Sequence, residues 1–174
     1  MRKKFLAAIV FFGLCGCVAL EPIEVREEIY GKSIPVITRS FASKKLNPTE
    51  TWKIYLNASD EGGKMKNIVC TLEQPGLNDY SASITRIKPE NRKELSGYIY
   101  LNSSELGNQL NFININLTVQ IQDMAGHYSE PVRFPLSFHS RFAQEAPPQG
   151  LFKEQDLGPI MTRLKLIDSG SEFH

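Results

Sequence analysis

The sequence predicts an all-β protein, one antiparallel sandwich of about seven strands over residues 34–139. Three observations carry this. First, Ile113, Ile115, Leu117, Val119 and Ile121 alternate without a break with Asn114, Asn116, Thr118, Gln120 and Gln122. A period of two puts the apolar set on one face of a strand and the polar set on the other, as in a sheet with one wet face. Second, the same alternation recurs from Trp52 to Ala58 and from Val132 to Phe138. Third, turn residues punctuate the chain at Asn47-Pro48, Asp60-Glu-Gly-Gly63, Gln74-Pro-Gly76, Pro89-Glu-Asn91 and Asp123-Met-Ala-Gly126, and no convincing helix lies between them.

The elements follow in order. Pro35 to Ala42 reads as the first strand, with a proline suited to a strand start or an edge. The second strand turns Trp52, Ile54, Leu56 and Ala58 inward. Ile68, Cys70 and Leu72 are the inward row of the third. Tyr80 to Ile87 is a fourth, with a blurred pattern, and Gly97 to Leu101 a fifth, rich in Tyr and Ile. The clean alternation around Leu117 is the sixth. The seventh runs from Val132 to His139, where Pro135 falls on the outward set and so implies an edge or a bulge.

After residue 139 the character changes. Ala146-Pro-Pro-Gln-Gly150 reads as a linker within a tail spanning residues 140–174. Asp156 can cap a helix and Pro159 suits a first helical position, so a short helix is expected, with Ile160, Met161, Leu164 and Ile167 on one face. That segment either packs back on the sandwich or docks on another protein of the cell envelope. Residues 168–174 read as a disordered end.

Val119-Gln-Ile-Gln-Asp-Met-Ala-Gly-His-Tyr-Ser-Glu-Pro-Val132 resembles the last hairpin of bacterial immunoglobulin-like and fibronectin type III-like domains. In those domains a strand ends in an Asp-x-Ala-Gly-Asn-x-Ser turn; His127 stands where the pattern usually has Asn. Trp52 to Met65 resembles the second strand and its turn. The likeness implies an immunoglobulin-like sandwich and no particular function, because this fold hosts many.

The N-terminus carries a different signal. Met1-Arg-Lys-Lys4 is a basic start, Phe5 to Leu14 an apolar run broken only by Gly13, and Leu14-Cys15-Gly16-Cys17 follows. A basic start, a short apolar run and small residues at the cut make a secretory signal, too short to span a bilayer. Leu14, Gly16 and Cys17 resemble the lipobox of bacterial lipoproteins. The resemblance implies cleavage between Gly16 and Cys17, lipid on the Cys17 thiol and a charged tether over residues 17–33. Val18 rather than Asp follows the cysteine, which in enteric-type bacteria points to the periplasmic face of the outer membrane. The combination of lipobox and single sandwich is similar to a group of uncharacterised bacterial lipoproteins.

Charge narrows the partners. The chain has 20 basic and 19 acidic residues; without Arg2, Lys3 and Lys4 there remain 17 against 19, a formal charge of −2. No basic surplus is left to neutralise phosphates, so nucleic acid is not expected as a partner. With Cys17 lipidated and Cys15 removed, Cys70 has no partner for a disulfide and reads as a buried thiol.

Candidate sites are few. Asp60, Glu61 and Asp123 lie in turns and are the only candidate calcium ligands, but Lys64 opposes a cation, and calcium wants six to eight oxygens. Turn stabilisation by Asp60 and Asp123 is the plainer reading. The three histidines, His127, His139 and His174, sit in no recognised catalytic spacing, and there is no Gly-rich phosphate loop. Tyr55, Tyr98 and Tyr100 lie opposite the aliphatic rows and either stack on sugars or are covered by another part of the chain. The expectation is therefore a non-enzymatic, cofactor-free interaction or structural module, held to a membrane through Cys17. A calcium- or carbohydrate-dependent surface adhesin and a hydrolase with an unrecognised site are the alternatives.

Overall fold

The computed structural model describes residues 21–76, 79–103, 106–162 and 164–166. The signal sequence, Gly16, Cys17, Ile167 and the end read as disordered lie outside the described residues, as does His174.

The alternating segments form two sheets. Strands β1 (Val36–Ala42), β3 (Thr51–Ser59), β6 (Glu94–Asn102) and β9 (Asp156–Pro159) make one, in the order β1-β3-β6-β9. Strands β2 (Lys45–Leu46), β4 (Met65–Gln74), β5 (Asp79–Arg86), β7 (Asn114–Asp123) and β8 (Val132–Phe138) make the other, in the order β2-β8-β7-β4-β5. The inward rows are those the periodicity picks out. Trp52, Ile54, Leu56, Ile68, Cys70, Leu72, Ile115, Leu117, Val119, Ile121, Phe134, Leu136 and Phe138 all join one buried cluster between the sheets. Full burial of such aliphatic and aromatic side chains stabilises by about 1.5–3 kcal/mol each. Trp52 is wholly buried, and its indole N–H donates to the Ser43 carbonyl at 2.9 Å, so its polar edge is satisfied inside the core.

Three expectations change. The segment around Asp156 and Pro159 is a strand, not a helix: β9 pairs in parallel with β6. The backbone groups of β6 left open by β3 offer hydrogen bonds that a lone short helix would forgo. Tyr98 N–H donates to Gln155 O at 2.8 Å and Ile160 N–H to Tyr100 O at 2.7 Å. The sandwich is therefore not purely antiparallel, since β2 also pairs in parallel with β8. Finally, the segment read as a charged tether contains helix α1 (Ile23–Tyr30).

Pro135 lies on the outward row of β8, as expected. On the same strand, Ser137 N–H donates to Lys44 O on the β2 side, whereas Phe138 N–H donates to Ile113 O on the β7 side. Pro135 has the parity of Ser137, so its missing N–H falls on the side away from β7. There β2 pairs only with Ser137 and Phe138, and among the described residues no strand pairs with Pro135 on that side.

Candidate functional site

The turn after β7 is built by one carboxylate. Asp123 is 2 % exposed, and its Oδ1 accepts the backbone N–H groups of Gly126 at 2.6 Å and His127 at 2.8 Å. Gly126 takes φ +101°, where an L side chain is strained, and a Cβ there would also stand 2.7 Å from Arg26 Nη1. The turn is thus shaped to receive α1. Asp123 Oδ2 lies 2.8 Å from His127 Nδ1, and His127 Nε2 lies 2.9 Å from Glu27 Oε1 on the helix. Lys32 approaches the other oxygen of Glu27 at 3.8 Å. His127, which sits in no recognised catalytic spacing, is held by carboxylates at both ring nitrogens. Those two bonds, Glu27's first and Asp123's second, outweigh partial burial and raise its pKa above the ordinary value. Protonated, the ring donates to both partners and fastens the helix to the sandwich.

The calcium candidates do not converge. Asp60 is 2 % exposed and accepts the N–H groups of Gly62 at 3.2 Å and Lys64 at 2.6 Å. Asp123 is engaged as described, and Glu61 is exposed. Both aspartates close their own turns, as the plainer reading has it. Among the described residues no group of three His, Cys, Asp or Glu side chains is placed to hold a metal ion.

The tail covers Tyr55 and leaves Tyr98 and Tyr100 half-buried. Tyr55 is 5 % exposed; its ring centroid lies 5.7 Å from that of Phe152 and its hydroxyl donates to Glu154 Oε1 at 2.8 Å. Lys53 Nζ reaches Glu154 Oε2 at 3.2 Å and sits 4.2 Å from the Tyr98 ring centroid. The Tyr55 hydroxyl first, and Lys53 after it, draw Glu154 below the usual carboxylate range. Further along, Gln74 grips the backbone of Lys165 twice: its Nε2 donates to Lys165 O at 2.9 Å and its Oε1 accepts Lys165 N–H at 2.7 Å. Gly97 lets this strap lie close, because a Cβ there would collide with Gln155 O and the Leu157 side chain.

The remaining reactive groups are committed to packing. Cys70 is 1 % exposed, and burial pushes its thiol up to about 12. His139 lies at the other end of the sandwich between Phe112 and Phe142, with edge-on ring contacts at 5.1 and 5.0 Å. It is not near His127: the two follow opposite ends of the β7–β8 hairpin.

Comparison with protein-family models, with curated proteins and with solved structures returned no match.

Proposed function

We propose that the chain is a lipid-anchored, non-catalytic interaction or structural module of the cell envelope, with an immunoglobulin-like sandwich as its folded part. The observation that carries the reading is Leu14-Cys15-Gly16-Cys17 behind a basic start and a short apolar run. Each buried methylene contributes about 0.8 kcal/mol, and one acyl chain holds only marginally. Several chains on Cys17 therefore make a durable anchor. Val18 favours the periplasmic face of the outer membrane in a Gram-negative host.

The folded part supports a binding or structural role more than a catalytic one. His127 holds a helix through both ring nitrogens, Cys70 is buried among aliphatic side chains, and Asp60 and Asp123 close turns. Each of the groups most capable of chemistry has a packing partner. The described tail residues from Leu151 to Thr162, and Lys165, lie on their own sandwich, so a partner is better sought on the sheet face that the described residues leave open.

Metabolic labelling with an alkyne fatty acid tests the anchor. The intact precursor should incorporate label and partition into detergent, Cys15→Ser should behave the same, and Cys17→Ser should lose both properties. Equal labelling of Cys17→Ser rules the anchor out.

A further inference from the structure

Among the described residues no other segment covers most of the outer face of the five-stranded sheet, and its polar side chains fall into two kinds. Towards the α1 end they bond one another. Asn67 Nδ2 donates to Gln122 Oε1 at 2.9 Å, Gln122 Nε2 to Tyr128 Oη at 2.8 Å, and Gln120 Nε2 to Ser129 O at 3.0 Å. Further along, two successive cross-strand rows do not. The register aligns Tyr80, Glu73, Asn116 and Pro135 in one row and Ala82, Thr71, Thr118 and Arg133 in the next. Six of these residues, Thr71, Glu73, Tyr80, Asn116, Thr118 and Arg133, line a shallow depression of about 350 Å³. Among the described residues no hydrogen bond or ion pair engages their side chains, and Tyr80 is 66 % exposed.

We infer that this depression is a binding site for a neutral glycan. The chemistry selects the class. Glu73 can only accept hydrogen bonds and repels anions; Arg133 can only donate and repels cations. They stand on β4 and β8, on either side of β7 and about 10 Å apart across the strands. Between them on β7 lie the Asn116 amide and the Thr118 hydroxyl, and Thr71 adds a second hydroxyl beside Glu73. A ligand that satisfies all of these groups must donate and accept at many points without net charge, as sugar hydroxyls do. Tyr80 supplies an exposed ring at the margin, whose negative face suits the polarised C–H face of a pyranose. The apolar groups of this face are Tyr80, Ala82 and Pro135 in these two rows and Val69 and Ile84 in the row beside them, so the apolar part flanks the depression and its floor is polar. The site deepens the proposed role by naming what the module would hold. It does not depend on the lipid, so Cys17→Ser should leave it intact, and its failure is separable from failure of the anchor.

The test is titration of the full chain in detergent micelles with four neutral tetrasaccharides, built respectively from N-acetylglucosamine, β-linked glucose, α-linked glucose and mannose. Calorimetry gives affinity and amide shifts in NMR spectra give location. At least one should bind saturably, shift the amides of Glu73, Asn116 and Arg133, and keep its affinity between about 0.05 and 0.5 M salt, since no net charge is recognised. Tyr80→Ala and Arg133→Ala should each weaken it roughly tenfold or more, about 1.4 kcal/mol, while Arg39→Ala on the exposed β1 leaves it unchanged. The inference is overturned if none of the four binds at about 10 mM. It is equally overturned if binding survives both substitutions in folded protein, or if a salt-sensitive charged peptide gives those shifts in place of the sugars.

Discussion

The two ends of the described chain are fastened to the same sandwich by different means. At the N-terminal end, α1 contributes no buried residue, and its contacts are charged side chains: Glu27 on His127, and Arg26 against Gly126. At the C-terminal end Glu154 also meets Lys53 and Tyr55, but most contacts are backbone hydrogen bonds to β6, the Gln74 grip on Lys165, and Ile160, which is 4 % exposed. A strap made of backbone and buried apolar area keeps its strength across the ordinary pH range. A latch made of a histidine between two carboxylates does not.

The contrast can be broken from the strap first. Gly97→Val should be the most damaging change, because its side chain meets the backbone oxygen of Gln155 as well as the Leu157 side chain. A loss of about 3 kcal/mol is expected, the upper end for overpacking, read as a lower urea midpoint. An unchanged midpoint would mean that residues 155–157 do not lie where described. Gln74→Ala removes both bonds to Lys165 and should cost about 1–2 kcal/mol. Hydrogen exchange at the Lys165 amide should accelerate with it, and no acceleration would show that the grip is formed only transiently.

The latch should respond to pH with the smallest effect and a definite sign. The His127 pKa is raised in the folded state, so its stabilisation is complete below the ordinary histidine value and fades as pH rises through the raised one. Protease cutting within residues 22–33 should therefore increase on going from pH 6 to pH 9 in the native protein. His127→Gln should be cut at a rate that does not change over that range, and a parallel pH response in this variant would assign the effect elsewhere. The groups that face the ring are Asp123 and Glu27, with Lys32 on Glu27 and Arg26 on the neighbouring glycine.

Where periodicity was legible it was legible because the partner of each residue is generic. Ile115 or Leu56 needs only an apolar interior, and alternation announces it. Strand β5 was blurred for the opposite reason. Its inward residues are Ser83 and Thr85, which bond specific groups of the tail, Met161 N–H and Pro159 O, more than 70 positions away. Its outward residues include Tyr80 and Ile84, the latter 64 % exposed. Such a strand inverts the usual pattern, and no local window can show why. The same holds for His127, whose decisive partner Glu27 is 100 residues distant. Asp156 and Pro159 mislead because capping and strand-edge positions use the same residues. Asp156 does accept a local bond, from Gly158 N–H at 2.8 Å, but in an extended segment. The Asp123 turn was readable because its carboxylate answers N–H groups three and four positions on.

Pro135 has a consequence beyond its own strand. An uncovered sheet edge is a template: a neighbouring molecule that lays a strand along it extends the sheet, and a third can follow. Beside the gap that β2 leaves, the ring removes the N–H that such a strand would need and fills the approach with methylenes. Copies crowded together can then meet edge to edge without joining into a continuous ribbon. A single imino acid on the outward row thus works against strand addition beside it.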